Sequence, residues 1–346
     1  MQQLDASVVV RCYNEADHLG KLLYGLSQQE GVTYEVVLVD SGSTDGSLAI
    51  AEEFGVDSIT YIPPERFSFG RALNYGCDEA HAPICVLASA HVYPRHRHWL
   101  RTLVERFDDG GEIALVYGKQ RGNDQTTFSE SQILRRWFPS QDIDRQASPF
   151  CNNANAAIRR ELWEAFPYDE QLTGLEDVDW ARRVQAAGYD ISYAADAEVV
   201  HVHDETAREV FNRYRREAYA HRRIMPEQGF SVWDLLRLTT SNIIADYRAA
   251  VAAGQLSSSI IEIPRFRTLQ FLGTYRGFNQ QGPIPARLYQ RFYYPDRDGY
   301  PANRQDDDAD TPDHEAPAPP AIEYPDGPVV GAPSGESPTR IGPPQS

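Results

Sequence analysis

Asp40 and Asp45 close the segment that follows the apolar run Val36-Val37-Leu38-Val39, which continues Asp40-Ser41-Gly42-Ser43-Thr44-Asp45-Gly46. Parallel α/β sheets place ligands in loops at the carboxyl ends of their strands, where Asp40 can accept a hydrogen bond from a nucleobase or ribose. The same residues also suit an Asx turn at Asp40 and a helix N-cap at Asp45. An earlier loop, Arg11-Cys12-Tyr13-Asn14-Glu15, faces the same sheet edge in a parallel arrangement, and Tyr13 offers a ring for stacking or for surface packing. Glu176, Asp177 and Asp179 crowd one helix start, where negative charge suits the first turn of any helix. In His201-Val202-His203 the two-residue spacing turns both imidazoles to one face of a strand.

These side chains need elements to hold them. Residues 7–12 read as a strand, Asn14 as the N-cap of a helix carrying Leu19, Leu22, Leu23 and Leu26, and 36–39 as a second strand before a helix with Ile50 and Phe54. The alternation continues through a strand at 58–62, a helix at 72–80 and an apolar strand at 84–88, which predicts a mainly parallel α/β sheet. A long connection over 120–149 breaks the rhythm and reads as a functional flap. Beyond it come a helix over 176–187 stopped by Gly188, strands at 190–194 and 198–202, and helices over 204–278. Those helices carry Arg208, Arg213, Arg215, Arg216, Arg222 and Arg223, a local basic concentration or simply a solvated face.

The chain has 346 residues with 33 Lys plus Arg against 50 Asp plus Glu, a net charge of −17 that argues against nucleic-acid binding. Residues 301–346 hold 11 of the 23 prolines and 9 acids against 2 bases, a composition that cannot offset ordering entropy and is expected to be disordered. Cys12, Cys77, Cys85 and Cys151 match neither a zinc ribbon nor a redox pair, so free thiols in a reducing compartment are expected. Neither a signal peptide nor an apolar run of membrane-spanning length is visible, and a cytoplasmic location is expected.

Taken together the segments resemble the family 2 glycosyltransferases of GT-A fold. Val8 to Glu15 is similar to that family's opening strand and YNE motif, and Val37 to Gly46 to its VDxxSxDG segment. The resemblance implies that Tyr13 contacts the donor base, that Asp40 hydrogen-bonds it, and that Glu15 and Asp45 belong to the same nucleotide-sugar site. Arg11, standing where proline is usual, either alters the base pocket or adds a diphosphate contact. Arg71, in Phe67 to Asn74, lies in a segment similar to the one preceding the family's metal motif and suits a diphosphate through forked, charge-assisted hydrogen bonds.

Where the family carries Asp-x-Asp for Mg2+ or Mn2+, this chain has Ser89-Ala90-His91. The resemblance implies Ser89 beside the donor and His91 as a metal ligand, or alternatively as a partner of phosphate or water. Leu175 to Arg183 resembles the EDxDxxxR motif, which makes Asp177 the general base, with Glu176 and Trp180 beside the acceptor. His201 or His203 completes the metal site. Asn152 and Asn153 resemble the stretch beside the acceptor pocket, with turn formation as the ordinary alternative.

The expectation is therefore a GT-A catalytic domain over 1–205, a helical acceptor or membrane-proximal region over 206–300, and an acidic, Pro-rich tail over 301–346. Its implied activity is inverting transfer of a sugar from a nucleotide-diphosphate donor to a hydroxyl of a glycan or lipid-linked acceptor, with Mn2+ or Mg2+ as cofactor. Peripheral contact with the inner face of the cell membrane is consistent with the basic helices. The alternative is a nucleotide-sugar-binding protein without catalysis.

Overall fold

A computed structural model describes residues 3–108, 111–282 and 286–294, together with the backbone of a short antiparallel pair, Glu323–Tyr324 with Gly327–Pro328. The expected disorder of 301–346 otherwise lies outside the described residues. Eight strands form one sheet: β1 (Ala6–Cys12), β2 (Tyr34–Asp40), β3 (Ser58–Tyr61), β4 (Ile84–Ser89), β5 (Val92–Pro94), β6 (Ile113–Arg121), β7 (Asn155–Arg159) and β8 (Asp190–His201). Their order is β3-β2-β1-β4-β7-β6-β8-β5.

The apolar runs of β1, β2 and β4 are continuous because both faces of these strands are covered. Val8 and Val10 enter a core with Leu19, Leu22 and Ile50, from the helices Ala16–Ser27 and Ser47–Phe54. Val9 enters the opposite core, shared with Leu73 of helix Phe69–Asp78 and Trp180 of helix Glu176–Ala186. Strand β1 pairs in parallel with β2 on one side and with β4 on the other. The connection out of β1 runs to β2 on one side and that out of β4 to β5 on the other, so a crevice opens between the carboxyl ends of β1 and β4.

Parallel pairing joins β3 to β2, β2 to β1, β1 to β4 and β6 to β8, whereas β7 runs antiparallel to both β4 and β6, and β5 antiparallel to β8. The sheet is thus mixed beyond β4. The two strands expected at 190–194 and 198–202 are one twelve-residue strand, carried past its irregularity by register shifts against β6. Gly118 lies at the second shift, close against the Ala197 carbonyl and the Asn155 amide. That buried amide is satisfied on both ends: its Nδ2 donates to the carbonyls of Ala197 (2.9 Å) and Lys119 (3.1 Å), and its Oδ1 accepts from Trp99 Nε1 at 2.9 Å.

Within the expected flap lies a regular helix, Phe128–Trp137, capped by the Thr127 side chain. It anchors the C-terminal helices: Ser129 donates to Asp246, which also receives Arg267 at 2.7 Å in a fully buried ion pair. The helices Ala207–Ile224 and Glu262–Phe278 pack closely, with Gly273 and Gly277 against the backbone of Phe211 and Arg215. Helix Val232–Ala252 leaves Trp233, Leu236, Ile244 and Val251 exposed. Among the described residues no helix is long and apolar enough to cross a membrane, and all four cysteines are buried free thiols.

Because a methyl at Gly118 would meet backbone and a committed amide, Gly118→Ala should destabilise the fold by about 1–3 kcal/mol. Urea unfolding measures this, and an unchanged midpoint would show that the β6–β8 shift relaxes freely.

Candidate active site

The loops after β1 and β2 are clamped together by the polar residues of the aspartate-rich segment. Asn14 N–H donates to Ser43 Oγ (2.9 Å), Glu15 N–H to Ser47 Oγ (2.8 Å), Ala16 N–H to Asp45 Oδ2 (2.9 Å), and Thr44 N–H to Asn14 Oδ1 (2.8 Å). Asn14 is not the N-cap expected of it. It sits in the left-handed region at φ 52°, Glu15 occupies the cap position, and the N–H groups of Glu15 and Ala16 are satisfied by the neighbouring loop. Asp45 spends its other oxygen on Ser47, at 3.0 Å from N–H and 2.6 Å from Oγ, so its carboxylate holds the two loops together. Asp40 is buried and accepts from Gly42 N–H (2.8 Å) and Ser43 N–H (3.1 Å), which is the Asx turn. Tyr13 meets Tyr294 edge-on at 4.7 Å, and the Tyr294 hydroxyl donates to the Ser41 carbonyl at 3.3 Å.

At the crevice floor Arg11 NH2 lies 3.4 Å from Ser89 Oγ, and Arg11 NH1 lies 3.4 Å from Glu176 Oε1, a link between β1 and the start of helix Glu176–Ala186. Asp177, beside Glu176, accepts from Val178 N–H (2.8 Å) and Asn153 N–H (3.3 Å). Burial and then the Glu176 charge raise its pKa to about 7, against the backbone donors and Arg11, which lower it. A carboxyl balanced near neutrality at the end of a crevice is matched to proton transfer at physiological pH.

Beyond Ser89, three imidazoles converge. His91 Nε2 is 3.1 Å and His203 Nε2 2.9 Å from His201 Nε2, while the three Nδ1 atoms face Glu15 Oε1 (2.6 Å), Gln120 Oε1 (2.6 Å) and Glu130 Oε1 (2.7 Å). Three side-chain nitrogens within a few ångströms of one another form a donor set that fits a divalent cation. Burial pushes the His201 pKa well down, as do His203 and His91. Burial also opposes ionisation of Glu130, yet His203 and Arg213 outweigh it and hold that carboxyl down to about 2.

Several expected residues already have partners within the protein. Glu15 is engaged by His91, because its helix-cap position aims it across the crevice at the β4–β5 turn. Trp180 is fully buried, donates to the Phe166 carbonyl and packs against Tyr168, so it is core and not an acceptor contact. Its side chain follows the inward stripe of an amphipathic helix. Arg71 is turned to Glu170 at 2.7 Å and to the Arg66 carbonyl. Asn153 is buried beside Asp177, and Asn152 caps its own turn by accepting from Ala154 N–H. Asp179 pairs with Arg182 and Arg183 along its own helix.

Sequence reasoning missed Gln120, Glu130 and Tyr294. The first two fall in or beside the irregular connection, where no periodicity singles them out. Tyr294 follows helix Ala286–Tyr293 and packs with Tyr293 around Phe67. Arg11 and Arg216 both lie over the Phe69 ring, at 5.3 and 4.8 Å, so the crevice wall is aromatic and cationic together.

Residues 7–166 match the family described as Glycosyl transferase family 2. The O-antigen chain rhamnosyltransferase RfbN of Salmonella typhimurium is 26% identical over 222 residues, 60% of this chain and 69% of that protein. Glycosyltransferase AglE of Haloferax volcanii is 26% identical over 204 residues, 55% of this chain and 64% of that protein. Among solved structures, the mannosyltransferase PcManGT of Pyrobaculum calidifontis, in complex with GDP-Man and Mn2+, is 20% identical with a TM-score of 0.54, covering 86% of this chain and 89% of that one. This likeness establishes the GT-A type of fold.

Asp45 satisfies donors on both loops, so Asp45→Ala should lower stability by about 0.5–2 kcal/mol. Chemical denaturation checks the value. Equal stability of the variant and the parent would mean that water replaces the carboxylate without loss.

Proposed function

The chain carries a family 2 glycosyltransferase domain and is a glycosyltransferase, and from this we propose that it transfers a sugar from a nucleotide-diphosphate donor to an acceptor hydroxyl, with inversion, by one in-line displacement. The observation that carries the reading is Asp177: a buried carboxyl with its pKa raised to about 7, at the floor of the crevice where Arg11, Ser89 and Glu176 meet. In the proposed step the acceptor oxygen attacks the anomeric carbon as the bond from that carbon to the diphosphate oxygen breaks. Asp177 takes the acceptor proton, and the electron pair leaves on the diphosphate.

Arg11 and Ser89 are assigned to the departing diphosphate, while Tyr13 and Asp40 lie at the base end of the same crevice. Glu176 keeps Arg11 in place and borders the acceptor side with Asn152 and Asn153. Arg71, paired with Glu170, stands further from this role than its sequence position implied. A divalent cation held by His91, His201 and His203 would supply positive charge to the diphosphate as it leaves. The GDP-Man and Mn2+ of the mannosyltransferase support a donor and cofactor of this kind, and the O-antigen rhamnosyltransferase supports polysaccharide or lipid-linked glycan assembly as the setting. Exposed Trp233, Leu236 and Val251 on helix Val232–Ala252 support peripheral membrane contact by the region after residue 206.

Release of nucleoside diphosphate from a panel of UDP, dTDP and GDP sugars tests the reading, with Asp177→Asn as control. The variant should bind donor normally and turn over roughly a hundredfold more slowly or worse. Turnover at the parent rate would place the base elsewhere.

The pH dependence has a defined sign. The base works only when ionised, so kcat/KM should climb as pH rises through about 7, where burial and the Glu176 charge place the Asp177 carboxyl, and level off above it. A flat profile between about pH 5 and 8 would contradict the assignment, since an unperturbed Asp would titrate near 3.9.

A further inference from the structure

We infer that His91, His201 and His203 form an all-imidazole site selective for a borderline transition cation such as Zn2+ or Co2+ over Mg2+, and that Gln120 and Glu130 are positioning residues for it. What the cation would do rests on the proposed glycosyl transfer. What it would be rests on the geometry of the side chains.

Each ring has an oxygen behind it. Carboxylates only accept hydrogen bonds, so Glu15 and Glu130 require a proton on the Nδ1 of His91 and His203, at 2.6 and 2.7 Å. With Nδ1 committed to these oxygens, Nε2 is the atom of each ring left to bind a cation, and it points towards His201. Gln120 Oε1, 2.6 Å from His201 Nδ1, sets the same tautomer there. Nε2 atoms brought to 2.9 and 3.1 Å need positive charge between them, either a shared proton or a bound cation. Metal–nitrogen bonds of about 2.0–2.1 Å in a tetrahedral arrangement put the nitrogens about 3.3 Å apart, close to the observed spacing.

The donor chemistry separates the candidate ions. Mg2+ takes oxygen ligands and keeps its waters, whereas imidazole suits the later divalent ions. Here the nearest carboxylate oxygens are spent behind the rings. Glu130 is further held by Arg213 at 2.9 Å, and the same Arg213 reaches Glu205 at 2.6 Å. The neighbouring group of Glu130, His203 and Glu205 therefore already contains a guanidinium and is not a second cation site. The carboxylate–histidine and amide–histidine pairs are the arrangement by which proteins orient metal-binding imidazoles and raise their basicity. Of the Mn2+ or Mg2+ anticipated from the sequence, Mn2+ accepts imidazole more readily than Mg2+, and a three-imidazole set suits Zn2+ or Co2+ better than either.

The test uses the full chain freed of metal with a chelator and titrated with CoCl2, read by visible ligand-field absorption and equilibrium dialysis. One Co2+ per chain with a nitrogen-rich spectrum is expected, displaced by stoichiometric Zn2+ and retained against a thousandfold excess of Mg2+. Gln120→Leu and Glu130→Gln should each weaken Co2+ binding about 10–100-fold, and His201→Ala should abolish the spectrum. Circular dichroism confirms folding, and where one variant does not fold the other two carry the test. Absence of Co2+ binding, or displacement by comparable Mg2+, overturns the site. Unchanged affinity in a folded Gln120→Leu or Glu130→Gln overturns the positioning role of that residue. Nucleoside diphosphate release by the same preparation reports separately on the proposed function: release without Co2+ binding rejects the trihistidine site and leaves glycosyl transfer standing.

Discussion

The position of β1 between two parallel partners is the constraint on which the site depends. With β2 on one side and β4 on the other, the chain leaves neighbouring strands in opposite directions and cannot cover their carboxyl ends. Tyr13, Asp40 and Ser89 all lie at that edge, where Tyr294 packs against Tyr13. Val8, Val9 and Val10 fix the register by filling cores on both faces, and a slip of one residue would exchange the two cores. Arg11, at the end of the same strand, is thereby carried to the point where it can reach Ser89 and Glu176 together.

Charge in the crevice is balanced by placement more than by number. Two adjacent carboxyls, Glu176 and Asp177, are buried at one helix start, where the helix dipole favours anions. Arg11 pairs with Glu176, and Asp177 is left with backbone donors alone, so the cost of desolvation falls on Asp177. One acid is thus committed to a partner and its neighbour is kept near neutrality. On the other side of Ser89 the histidines have acceptors at their backs, which turns their remaining nitrogens inward.

The first half of the sheet was legible because its strands are covered on both faces and read as unbroken apolar runs. The second half was not: β7 and β8 owe their pairing to Gly118 and Asn155, whose roles are set by contacts distant in the chain. Short segments single out candidates such as Asp177 and His91 without help from the rest of the chain. Their assigned tasks shifted where a long-range partner intervened. Asp45 and Glu15 carry the right chemistry for a ligand, yet one clamps two loops and the other backs a histidine. Trp180 is an amphipathic-helix residue whose inward direction could be read only with the sheet in place. Gln120, Glu130 and Tyr294 reach the site through tertiary packing, which no local spacing encodes.

The central claim, a single displacement assisted by one buried carboxyl, has a direct stereochemical readout. Proton NMR of the first-formed glycoside, recorded with an accepted donor and a simple alcohol acceptor, gives the anomeric configuration of the product. The account predicts the configuration opposite to that of the donor. A product that retains the donor configuration would contradict it, because retention requires a second displacement or a front-side departure that this arrangement of Asp177 and Arg11 was not assigned to perform.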